Sequence, residues 1–127
     1  MTRTLIVEDN DTFRQTLRKL LINHFPAMTL DEARDGTEAL DKISDSRPDL
    51  IFMDIKLPGE NGLQITKRIR SADADARIII LTSHDYPEYR EAASKYGANH
   101  FVSKESSTAG DIVTLVKSIL ADLSSAD

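Results

Sequence analysis

The sequence predicts an α/β domain built on a parallel sheet. Short apolar runs alternate with longer amphipathic segments along the whole chain. The runs have strand length and are apolar at consecutive positions, as in strands covered by helices on both faces. Each is followed by a segment of helical period with its own start and stop residues. Five such units joined by right-handed crossovers give a doubly wound (βα)5 sandwich around a five-stranded parallel sheet.

The first strand is Leu5-Ile6-Val7, which stops at Glu8 and Asp9. Phe13, Leu17, Leu20 and Leu21 then recur at helical spacing, with Asn10 or Asp11 as N-cap and Pro26 as terminator. Met28 to Ala33 reads as a weaker strand because acids interrupt it at Asp31 and Glu32. Asp35-Gly36 is a turn, and Ala39, Leu40 and Ile43 mark a short helix. Leu50-Ile51-Phe52-Met53 is the third strand and ends at Asp54. Pro58-Gly59 is a loop, and Leu63, Ile65 and Ile69 carry the third helix. Ile78-Ile79-Ile80-Leu81 is the most apolar strand and ends at Thr82-Ser83. A helix starting near Pro87 carries Ala92, Ala93 and Tyr96, with Gly97 placed to end it. His100-Phe101-Val102-Ser103 is the fifth strand, followed by Lys104. Ile112, Leu115, Val116, Ile119, Leu120 and Leu123 form the stripe of the last helix. Residues 1–123 are expected to make one domain, with 124–127 as a tail or the start of a linker.

A length of 127 residues suits one domain with a core of its own. There is no cysteine, which excludes disulfides and thiolate metal sites and suits a reducing compartment, the cytoplasm. The first residues lack the apolar stretch of a signal peptide, and no run is long enough to span a membrane. The net charge of -5 argues against direct nucleic-acid binding.

Ligands of an open parallel sheet bind at the carboxyl ends of its strands. There the order of the sequence places Glu8 and Asp9, Asp54, Thr82 and Ser83, and Lys104. One acid after a strand is ordinary turn chemistry, and one lysine is ordinary surface. The full set at successive strand ends is not. Three carboxylates repel one another and call for a cation. An all-oxygen donor set selects a hard ion, Mg²⁺ or Mn²⁺. Mg²⁺ uses one or two carboxylates plus water and phosphate oxygens, which leaves a carboxylate free as nucleophile. An incoming phosphoryl group then needs a metal, a cation and hydroxyl donors, roles that suit Mg²⁺, Lys104 and Thr82.

Four stretches together carry a family resemblance: Leu5 to Asp9, Asp49 to Gly59, Ile80 to Ser83, and Phe101 to Lys104. In order and spacing they resemble the receiver domain of two-component response regulators, over essentially all of the chain from Thr4 to Leu123. The resemblance implies the CheY-like, flavodoxin-like strand order 2-1-3-4-5. It implies a signalling switch that catalyses only its own phosphorylation and dephosphorylation. Asp54 would take the phosphoryl group from a histidine kinase or phosphotransfer protein. Asp9 and Asp54 would bind Mg²⁺, Glu8 would hold a metal-bound water, and the Lys56 backbone carbonyl would be a further ligand. Thr82 would bond the phosphoryl oxygen, and Lys104 would pair with it. Phe101 would be the aromatic switch that turns inward as Thr82 moves, and Gly62 matches the loop glycine after the third strand. The face made by the fourth helix, fifth strand and fifth helix would carry the output, with Tyr89, Arg90, Lys95, Tyr96 and Lys117 on it, and phosphorylation could drive dimerisation.

One departure concerns Glu105, which stands where such domains usually follow the lysine with proline, often after a cis bond. A lysine followed by another residue is similar to the NarL/FixJ-type class, as are the Thr82 to Tyr86 run and the region of Phe13. Those receivers precede a C-terminal DNA-binding domain and control transcription. Two arrangements stay open: a stand-alone regulator, or the receiver of a longer chain. Lys56 and His84, two residues past Asp54 and Thr82, are expected to flank the aspartyl phosphate and tune its lifetime. A bulky Lys56 would screen it, and His84 would orient water.

Three rivals share parts of this pattern. A flavin module needs a Ser/Thr/Gly-rich phosphate loop after the first strand, and Glu8-Asp9-Asn10-Asp11 would repel that phosphate. An aspartyl phosphohydrolase needs an acid two residues past its nucleophile, where Lys56 stands. A receiver-like interaction module working without phosphorylation is disfavoured by the complete acid, hydroxyl and lysine set.

Overall fold

The computed structural model describes residues 2–125. The elements alternate strictly: β1 Arg3–Val7, α1 Asp11–His24, β2 Thr29–Ala33, α2 Gly36–Ser46, β3 Leu50–Met53, α3 Gly62–Ala72, β4 Arg77–Thr82, α4 Pro87–Lys95, β5 His100–Ser103 and α5 Ala109–Ser125. All neighbouring strands are parallel, in the order β2-β1-β3-β4-β5. The order reverses between β1 and β3, so the carboxyl ends of these two strands open the crevice of the sheet.

Successive side chains of the central strands fill two cores. Leu5, Val7, Ile51, Met53, Ile78 and Ile80 face Ala39 of α2, Leu63, Ile65 and Ile69 of α3, and Ala93 of α4. Ile6, Leu50, Phe52, Ile79 and Leu81 face Leu17 and Leu21 of α1 and Val116 and Ile119 of α5. This two-sided demand makes β3 and β4 read as unbroken apolar runs. β2 lies at the sheet edge, where Thr29 and Asp31 are exposed, so it tolerates its acids.

Local signals set the helix ends. Asn10 is the N-cap of α1, its side chain accepting the Phe13 N–H at 2.9 Å. Asp35 and Asn61 cap α2 and α3 in the same way. Thr108 and Asp111 exchange two bonds, 2.9 and 3.0 Å, in a capping box at the start of α5. Tyr96, expected inside α4, is instead its C-cap, and Gly97 follows at a φ of 101° that glycine adopts freely.

Ser124 and Ser125, expected in the tail or linker start, are helical. α5 runs through Ser125, because Ser125 Oγ donates to the Ala121 carbonyl at 2.8 Å and Leu123 packs against the α1–α5 core. Ala126 and Asp127 lie outside the described residues. No peptide bond among the described residues is cis, so Lys104–Glu105 is trans.

Candidate functional site

Hydrogen bonds that prolong the sheet beyond its strands place the acids. The Glu8 N–H donates to the Ala33 carbonyl at 3.0 Å, and the Asp54 N–H to the Val7 carbonyl at 3.1 Å. Both residues are therefore tied into the hydrogen-bond ladder of the sheet. One carboxylate oxygen from each of Glu8, Asp9 and Asp54 falls within 4.8 Å of the others. Glu8 and Asp54 are buried, 3% and 7% exposed, whereas Asp9 faces solvent. Asp54 Oδ1 accepts the Ile55 N–H at 2.7 Å. Lys104 reaches across from the end of β5, its Nζ 2.5 Å from Glu8 Oε1 and 3.3 Å from Asp54 Oδ2.

Burial pushes the Glu8 carboxyl up to about 7, and the nearby Asp54 charge adds to the rise. The bonds from Lys104 and the Asn10 N–H oppose it and are outweighed. One ammonium thus faces two buried carboxylates and a third at the rim. The surplus of negative charge and the all-oxygen donors fit a hard divalent cation.

Thr82 is fully buried at the end of β4, and its carbonyl accepts the Lys104 N–H at 2.9 Å. The structure therefore ties these two predicted residues together through the backbone. Thr82 Oγ accepts the His84 N–H at 3.2 Å, which leaves its own hydroxyl proton free to donate. His84 is half-buried, and its Nδ1 is buried with no hydrogen-bond partner among the described residues.

Phe101 pairs with Ile80 in the β4–β5 register and is half-buried. The Arg90 guanidinium lies over its ring, 4.6 Å from the centroid, while pairing with both oxygens of Asp85 at 2.5 and 3.1 Å. Lys56 is exposed and turned toward α4, its Nζ 3.3 Å from the Tyr89 hydroxyl. Of the predicted site residues, Lys56 and Phe101 have side chains engaged away from the acids, with Tyr89 and Arg90.

Residues 4–117 match the response regulator receiver domain family. The chain belongs to this family. It is 35% identical over 102 residues to the response regulator MprA of Mycobacterium sp. (strain KMS), covering 80% of this chain and 44% of that protein. The chain thus spans less than half the length of the curated relatives it matches. Among solved structures, a LuxR-family two-component response regulator from Aurantimonas sp. SI85-9A1 is 35% identical, with a TM-score of 0.85 over 96% of this chain and 87% of that one. The response regulator TrrA of Thermotoga maritima, solved in complex with Mg²⁺ and BeF, is 34% identical, with a TM-score of 0.82 over 94% and 99% of the two chains.

Two residues of this receiver domain escape a reading by strand ends. Arg14 is a buried guanidinium in the first turns of α1, 4% exposed. It donates to the Glu8 carbonyl at 2.8 Å, to Glu32 at 2.8 Å and to Asp11 at 2.5 Å. The signal was present, since Arg14 falls in register with buried Leu17 and Leu21, where an apolar residue is expected. The second is Phe13, whose ring lies under the Lys104 ammonium, 4.1 Å from centroid to Nζ. Its helical spacing marks it only as packing.

Proposed function

We propose that this receiver domain accepts a phosphoryl group on Asp54, in a Mg²⁺-dependent reaction, and passes the signal on by a change of conformation. The observation that carries this reading is the buried Asp54 carboxylate bridged to Glu8 by Lys104 at the mouth of the sheet crevice. Glu8, Asp9, Asp54 and the Lys56 carbonyl would hold the ion, Glu8 through a water. Bound there, Mg²⁺ would neutralise charge on the phosphoryl oxygens.

The donor is a histidine kinase or a phosphotransfer protein. The P–N bond of its phosphohistidine breaks as an Asp54 oxygen bonds to phosphorus, and the departing imidazole takes up a proton. Lys104 then pairs with the phosphoryl group. Thr82 turns its free hydroxyl proton to a phosphoryl oxygen, and Phe101 follows inward. The phosphorylated state is favoured by as much as it gains from these contacts. The same residues catalyse the loss of the group to water, so the chain acts on its own aspartate and on no external substrate. Lys56 and His84 set the lifetime: Lys56 screens the phosphoryl group on leaving Tyr89, and the half-buried His84 orients water.

The output surface is α4, β5 and α5, where Arg90, Lys95 and Lys117 are exposed beside half-buried Tyr89 and Tyr96. It addresses an output protein, a second copy, or a DNA-binding effector domain that controls transcription. The setting is the cytoplasm, and among the described residues no helix is long and apolar enough to cross a membrane. Nuclear magnetic resonance with Mg²⁺ and beryllofluoride tests the reading. Amides of Asp54, Thr82, Lys104 and the α4–β5 face should shift together, and Asp54→Asn should abolish the response. Shifts confined to the acids would refute the conformational switch.

A further inference from the structure

Phe13 is joined to the acid site by a closed circuit of contacts. Glu8 Oε2 accepts the Asn10 N–H at 3.1 Å. Asn10 Oδ1 accepts the Phe13 N–H at 2.9 Å. The Phe13 ring faces Lys104 Nζ at 4.1 Å, and Nζ returns to Glu8 Oε1 at 2.5 Å. The cap that begins α1 therefore also fixes the backbone from which the ring projects. We propose that Phe13 is a positioning residue for Lys104, holding its ammonium on the Glu8–Asp54 pair so that it meets the incoming phosphoryl group.

The physical need is clear from the lysine itself. Its stem has four rotatable carbons and its head is strongly hydrated, so two carboxylates on one side do not fix it. The negative face of an aromatic ring attracts the ammonium from another side and excludes water there. The Lys104 side chain is 14% exposed, a setting in which such a contact is worth more than at an open surface. Leucine at position 13 would keep the apolar contact with the α1–α5 core and lose the attraction. Tyrosine would keep both.

This inference rests on the phosphoacceptor reading for its purpose but not for its geometry, and two readouts on the full chain separate them. In the metal-free protein, the Lys104 Cε–Hε signals should be shifted upfield by the ring in wild type and Phe13→Tyr, and return to ordinary lysine values in Phe13→Leu. With acetyl phosphate at saturating Mg²⁺, Phe13→Leu should be phosphorylated about five-fold more slowly, and Phe13→Tyr at close to the wild-type rate. Thermal melting of each variant shows that it is folded. Ordinary Lys104 signals in wild type would overturn the placement whatever the phosphorylation result. A folded Phe13→Leu with displaced Lys104 signals and an undiminished rate would overturn the role. A wild type that takes no phosphoryl group, with the ring shift intact, would overturn the purpose assigned here and the phosphoacceptor reading, leaving the contact as structure alone.

Discussion

Gly62 packs so closely beneath Asp54 that a Cβ on it would lie 1.8 Å from the Asp54 carbonyl oxygen. Its N–H donates to the Ile55 carbonyl at 2.8 Å, so the first turn of α3 is fastened to the loop that follows Asp54. The obstacle is backbone, which cannot rotate away. Gly62→Ala should therefore destabilise the fold by about 3 kcal/mol. It should also displace Asp54 and slow phosphorylation more than any substitution on the output face. Urea unfolding beside an acetyl phosphate time course checks both effects.

The raised Glu8 carboxyl should make Mg²⁺ binding depend on pH. Its value in the folded chain, about 7, lies above the ordinary 4.5 expected when unfolded. For the metal-free protein, the stability that Glu8 contributes is fully present below about 4.5 and is lost as pH rises through about 7. Mg²⁺ favours the ionised form, so its affinity should rise with pH across the same window. Titration calorimetry from pH 5.5 to about 8 should show the rise in wild type and a flatter profile in Glu8→Gln.

Arg90 holds the outer face of Phe101 while Asp85 fixes its guanidinium. The same contact keeps the Asp85 carboxyl below its usual range. If Phe101 must turn inward on activation, this stack favours the resting state. Arg90→Ala should then increase the rate of phosphorylation by roughly two- to five-fold, the worth of an exposed cation–π contact. An unchanged rate would show that Phe101 moves independently of Arg90.

Lys56 and His84 should act in opposite directions on the lifetime of the phosphorylated protein. Lys56→Ala removes a screen and should speed hydrolysis several-fold, whereas His84→Ala removes the group that orients water and should slow it. The decay of the phosphorylated mass with time gives both rates. Equal rates in wild type and both variants would contradict the assignment.

The strands were legible because burial on both faces leaves no room for polar residues, as in Ile78 to Leu81. The site was legible for a related reason. Glu8, Asp9, Asp54 and Lys104 each follow a strand and Thr82 ends one, and a parallel sheet gathers such residues at one edge. Contacts that depend on side-chain direction were not legible. Phe13 carries the helical period of a core residue whether its ring meets leucine or the Lys104 ammonium. Lys56 sits beside Asp54 in sequence yet turns to Tyr89, 33 residues on. The end of α5 was misplaced because Ser124 and Ser125 resemble a loop by composition, while a backbone carbonyl one turn earlier accepts the Ser125 hydroxyl.

The proposed switch depends on Asp54 accepting a phosphoryl group with the help of Mg²⁺. Intact mass after incubation with acetyl phosphate, with and without Mg²⁺, on wild type and Asp54→Asn, tests it most directly. Wild type should carry a single phosphoryl adduct that requires Mg²⁺ and is missing from the variant. An adduct that persists in Asp54→Asn would place the acceptor elsewhere. A wild type unmodified by acetyl phosphate, and equally by a phosphorylated histidine donor, would overturn the phosphoacceptor role in favour of a module acting by binding alone.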